Sequence, residues 1–171
     1  VVRGCSVTTD ELNPDLAHAV LIADAESHPT GVVFEDCRIE GNQFGMVLTW
    51  FRDAAHGPEV TLRDCFFRAN LISALELDCG DVTLEGCLFE ENQGVSLNIG
   101  GGAVEARNTV FRRNVHTGFQ AVIALHLDAN WGQTGGVIPP GTLKLIECRV
   151  YENGAGGNPS IRVHEGELFA D

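Results

Sequence analysis

Apolar residues recur at alternate positions ahead of a shared anchor residue, usually cysteine, in block after block of this chain. Aligned on that anchor, the segments read VVRGCSVTTD (1–10), VVFEDCRIEGN (32–42), VTLRDCFFRAN (60–70), VTLEGCLFEEN (82–92), VEARNTVFRRN (104–114) and LKLIECRVYEN (143–153). Five and three places before the anchor stand Val32 and Phe34, Val60 and Leu62, Val82 and Leu84, Val104 and Ala106, and Leu143 and Leu145. That alternation predicts a half-buried strand. If its phase continued, the residue just before the anchor would face inward, but that residue is Asp36, Asp64, Gly86, Asn108 or Glu147, which predicts a corner. The inward set resumes at the anchor and two residues later, at Val7, Ile39, Phe67, Phe89, Phe111 and Val150, as a second short strand in a new direction. Three residues further on comes Asn42, Asn70, Asn92, Asn114 or Asn153, with Asp10 in the first block. Asn and Asp tolerate left-handed backbone, so a second corner is expected at this position itself. A third apolar stretch follows, as in 74–77, 95–99 and 123–127, and glycine often closes the unit, at Gly80, Gly100 to Gly102 and Gly141.

The anchors are Cys5, Cys37, Cys65, Cys87, Thr109 and Cys148, spaced by 32, 28, 22, 22 and 39 residues, so the base period is 22. The longer intervals read as the same unit carrying loop insertions, chiefly 11–19, 51–57 and 126–140. Three strands and three corners per unit predict an all-β fold, a right-handed parallel β-helix (solenoid) of about six coils, each strand pairing with its equivalent about 4.8 Å away in the next coil. A leucine-rich repeat has a comparable period but needs a helix, and no 3.6-residue periodicity fits inside 82–103. The whole of 1–171 reads as one domain, and because Val1 already lies within a repeat, it reads as a piece of a longer protein.

Charge and cysteine content narrow the functional classes. With 11 basic residues against 24 acidic ones, a net charge of −13, the chain lacks the clustered Lys and Arg that phosphate contacts require, so nucleic acid is not an expected partner. No stretch reaches the roughly 18 continuous apolar residues of a membrane span. Six cysteines suggest a disulfide framework, but the repeat places five of them in one column, with parallel Cα–Cβ vectors about 4.8 Å apart, where a disulfide wants converging Cβ atoms about 3.8 Å apart. They are therefore read as small buried hydrophobes, Thr109 taking the same place in the fifth coil, while Cys79 lies outside the column at a buried coil end. Unpaired thiols lean towards a reducing, cytoplasmic compartment, with secretion or the cell surface as the alternative.

The segment GGAVEARNTVFRRN (101–114) resembles the paired GGA(I/L/V) and FxxN motifs of polymorphic outer-membrane-protein repeats, and the recurring C-x-F-x-x-N resembles the right-handed β-helix repeats related to pectate lyases. The resemblance implies a solenoid whose lateral faces and loops bind extended ligands, often polysaccharides. Pectate-lyase-like members use clustered Asp or Glu around Ca²⁺ with a nearby basic residue, and polygalacturonase-like members use Asp-Asp and Gly-His-Gly motifs, neither of which occurs here.

Two insertions hold the candidate ligand-binding residues. The stretch 49–58 offers Trp50, Arg52, Asp53 and His56, and 126–141 offers His126, Asp128, Asn130 and Trp131. A Trp can serve as a stacking platform for a sugar, or fold back as a lid over an apolar strand. Both insertions follow the third strand of their coils, so they are expected to flank a groove floored by the two coils between them. Asp78, Asp81 and Glu85 are weak candidates for Ca²⁺, whose ligands are oxygens, against the alternative of a solvated edge. No catalytic residues, other cofactor or further metal site is expected. His116 with Arg112 and Arg113 reads as outward surface rather than as an acid–base cluster. The functional expectation is a non-catalytic recognition or scaffold module for a glycan or protein partner. The alternatives are a carbohydrate-active enzyme, a polysaccharide lyase or glycoside hydrolase drawing acids from 76–85 and a base such as Arg112, and a module that self-associates end to end through open strand edges.

Overall fold

The computed structural model describes residues 1–8, 18–24, 31–50, 58–115, 122–125, 141–154, 161–163 and 167–170. The strands follow the repeat. In chain order they are Val2–Arg3 (β1), Ser6–Thr8 (β2) and His18–Asp24 (β3); Val32–Glu35 (β4), Arg38–Glu40 (β5) and Phe44–Trp50 (β6); Glu59–Arg63 (β7), Phe66–Arg68 (β8) and Ser73–Leu77 (β9); Asp81–Glu85 (β10), Leu88–Glu90 (β11) and Val95–Ile99 (β12); Ala103–Arg107 (β13), Val110–Arg112 (β14) and Ile123–Leu125 (β15); Thr142–Ile146 (β16), Arg149–Tyr151 (β17) and Ile161–Val163 (β18); and Glu167–Ala170 (β19). They form three parallel sheets of seven, six and six strands, each interior strand paired with its equivalents in the coils before and after. Among the described residues there is no helix, and hence none long and apolar enough to cross a membrane.

The corner between the first and second sheets takes two residues in every coil, and its first residue is left-handed throughout: Gly4, Asp36, Asp64, Gly86, Asn108 and Glu147 have φ between 49° and 65°. For the non-glycine members this backbone costs roughly 1–2 kcal/mol each. The cost is offset where the amide reaches the next coil, as in Asp64 N–H to the Glu85 carbonyl at 2.8 Å and Asn108 N–H to the Ile146 carbonyl at 3.0 Å.

The second corner differs from the sequence-based expectation. Its left-handed residues are Gly41, Ala69, Glu91, Arg113 and Glu152, each just before the asparagine. The asparagine instead turns inward: Asn42, Asn70, Asn92 and Asn114 are fully buried. Each side-chain amide donates to the Oδ1 of the next coil's asparagine, Asn70 to Asn92 at 2.9 Å, Asn92 to Asn114 at 2.9 Å and Asn114 to Asn153 at 3.0 Å, and to a carbonyl of the coil before. Each Oδ1 from Asn70 onward also accepts the backbone N–H of the preceding asparagine. Burial of so polar a column is tolerated because nearly every donor and acceptor is matched. Asn42 Oδ1, at the start of the column, has no partner among the described residues.

The interior is a set of such columns. Phe67, Phe89 and Phe111 stack, with ring centroids 4.6 and 4.7 Å apart and planes inclined by 2° and 14°. None of the six cysteines is in a disulfide. Cys37, Cys65 and Cys87 are buried, and each sulfur lies against a carbonyl of the preceding coil, as Cys87 Sγ does with Leu62 O at 3.3 Å. Thr109 keeps the local form of this contact, its Oγ1 donating to the Arg107 carbonyl at 3.1 Å. Cys79, outside the column, is buried.

Three further boundaries move. The first insertion was expected over 11–19, but β3 begins at His18, and the stretch 49–58 starts inside β6, which runs to Trp50. β19 was not foreseen; Leu168 and Ala170 enter the first sheet in register with Leu143 and Leu145.

Candidate functional site

Columns of paired charges run along two of the three sides. On the first sheet, Glu35 receives Arg3 and Arg63, the latter at 3.2 Å, and Arg63 also reaches Glu85 at 2.7 Å, while Glu105 pairs with Arg107 at 2.6 Å and Lys144 at 3.5 Å. On the second sheet and the corner beyond it, Arg68 pairs with Glu91 at 2.7 Å, and Glu90 holds Arg112 at 2.8 Å together with Arg113. The Arg3 guanidinium, with help from Arg63, holds the Glu35 carboxyl below its usual range, and Arg107 does the same for Glu105. Burial opposes ionisation of Glu90, yet Arg113 and Arg112 together keep its carboxyl below the usual range. Exposed pairs of this kind contribute little stability each, but opposite charges in adjacent coils favour one register over its neighbours.

The third sheet presents a different outward column. Met46, Leu75, Leu97 and Ile123 on one flank and Leu48, Leu77, Ile99 and Leu125 on the other are buried in the core, so the residues between them, Val47, Glu76, Asn98 and Ala124, face away from it. Leu21 precedes them in register and is 51% exposed. Val47 and Ala124 are nevertheless 5% and 3% exposed, whereas Glu76 and Asn98 are half-buried. Among the described residues Asn98 Oδ1 has no hydrogen-bond partner.

The candidate residues fall around this column in chain order. Trp50 ends β6, its backbone in register with Asp24. The side chain of Trp50 and the whole of Arg52, Asp53, His56, His126, Asp128, Asn130 and Trp131 lie outside the described residues. The insertions that contain them follow β6 and β15, and the strands between, β9 and β12, are followed by the three-residue links 78–80 and 100–102.

The acids of 76–85 are spread over two sheets and the link between them. Glu76 is on the third sheet, Asp78 is half-buried in the link behind it, and Asp81 and Glu85 stand at opposite ends of β10 on the first sheet, Glu85 bound to Arg63. Among the described residues no three His, Cys, Asp or Glu side chains are grouped to hold a metal ion. Arg112 belongs to the second sheet, where Glu90 holds it, so the pairing of these carboxylates with Arg112 as a base is not assembled. His116 lies outside the described residues. The outward column of the third sheet is what sequence reasoning missed; its signal was the polar residue inside LEL (75–77) and LNI (97–99).

Compared with protein families, the chain matches the model of the right-handed β-helix region over residues 2–157. It belongs to that family. No curated protein and no solved structure matches this β-helix.

Proposed function

We propose that this β-helix is a non-catalytic recognition or scaffold module that binds an extended glycan or protein partner along the side formed by its third sheet. One observation carries the reading: all the variation in coil length borders that sheet. Links into and out of its strands range from three residues, as at 78–80, to sixteen, at 126–141, while the first-to-second corner is two residues in every coil. In stacked-repeat proteins, insertions gather on one face, often the one used for binding, because a regular scaffold tolerates variable segments there without losing its core. The other two sides each carry a column of paired charges.

On this reading Glu76 and Asn98 form a polar floor, and the segments bearing Trp50 and Trp131 flank it. A Trp ring supplies a flat apolar platform for a sugar or a peptide side chain, and polar groups beside it fix orientation. The test is a screen of the 171-residue chain on one array of neutral, acidic and amino polysaccharides and another of extended peptides. Two variants accompany it: Asn98→Arg on the third sheet and Thr83→Arg on the outer face of the first. A ligand retained by Thr83→Arg and weakened roughly tenfold or more by Asn98→Arg, the loss of about 1.4 kcal/mol, is the expected result. Equal loss in both, or no ligand on either array, overturns the proposal. A bound polysaccharide that is shortened during incubation would move the reading to a carbohydrate-active enzyme.

A further inference from the structure

We draw no further inference here: the strongest candidate, the exposed apolar side chains at the two ends of the solenoid, Val1 and Val2 at one and Leu168 and Phe169 at the other, carries nothing because nothing in the structure shows what covers them.

Discussion

Removing one asparagine from the middle of the buried column should cost far more than removing the one at its start. Asn92 is fully buried and takes part in four side-chain hydrogen bonds: it donates to Asn114 Oδ1 at 2.9 Å and to the Phe67 carbonyl at 3.1 Å, and it accepts from Asn70 Nδ2 at 2.9 Å and Asn70 N–H at 3.0 Å. In Asn92→Ala the Asn70 amide N–H, one Asn70 Nδ2 proton and the Phe67 carbonyl lose these partners. Asn114 Oδ1 keeps the backbone bond from residue 92. A stranded buried polar group costs about 1–3 kcal/mol, so three of them, partly relieved by water entering the gap, predict a loss of roughly 3–5 kcal/mol. Asn42 makes two longer donor bonds, 3.2 and 3.3 Å, and its Oδ1 has no partner to strand among the described residues, so Asn42→Ala should lose roughly 1–3 kcal/mol. Asn98→Ala, on the outer face, should lose within about 1 kcal/mol. Urea unfolding followed by far-UV circular dichroism gives the three values by linear extrapolation. Because solenoid stability is largely a sum over neighbouring coils, hydrogen exchange at the Asn70 amide supplies a local reading and should accelerate in Asn92→Ala. Equal losses in all three variants, or a loss below about 1 kcal/mol for Asn92→Ala, would refute the account of the column as a matched network.

Other outcomes follow from the same geometry. Phe89 is fully buried between two stacked rings, so Phe89→Ala should lose about 3–5 kcal/mol in the same assay, with Phe89→Leu losing visibly less; parity between the two would mean that stacking and volume contribute nothing at this position. Glu90 is depressed in the folded state, so its contribution is present above the unfolded carboxylate pKa, about 4.3, and is lost as pH falls through the lower folded value. Melting temperature measured from pH 6 down to pH 2.5 should therefore fall less steeply in Glu90→Gln than in the parent chain, and superimposable slopes would contradict this. The thiols offer a third check, resting on burial: the hydrogen bond with Cys87 lowers Cys65 to about 7 while the same contact and burial raise Cys87, but Cys37, Cys65 and Cys87 are at most 1% exposed, so no reagent reaches them. At neutral pH an aromatic disulfide reagent should leave Cys37, Cys65 and Cys87 unmodified in the folded chain and titrate six thiols in guanidinium, so rapid native reaction at any of those three would count against a packed column.

Much of the architecture is legible in the amino-acid order because a stacked coil writes the same instruction many times. Val60 and Leu62 prescribe a strand by alternation, and Val82 and Leu84 repeat them in equivalent places, so both the strand and its partner can be read together. The first corner is legible for the same reason, since Asp64, Gly86 or Asn108 interrupts the apolar phase at a fixed step. The second corner is less so. Gly41, Ala69, Glu91, Arg113 and Glu152 share no chemistry that prefers left-handed backbone, and their conformation is set by bonds to the next coil, such as Gly41 N–H to the Arg68 carbonyl at 3.0 Å, and by the asparagine locked beside them. The strand β19 escaped notice because its segment brings no anchor residue and is recognised only by the sheet it joins.

The candidate site divides along the same line. Composition and spacing alone identified the inserted segments, the tryptophans they contain and the coils that lack insertions. Which outward charges are paired across coils depends on neighbours 22 to 39 residues away. Arg63 finds both Glu35 and Glu85, and Glu90 finds Arg112 and Arg113, only once the coils are stacked. The sequence by itself determined the repeat, the three strand directions and the inward columns, because burial acts on each coil in the same way. Only the tertiary structure decided that asparagine turns inward to be satisfied by its counterparts, that paired charges run along two of the three sides, and that Val47, Glu76, Asn98 and Ala124 form the outward column of the third, because those outcomes are pairings between coils rather than properties of any one of them.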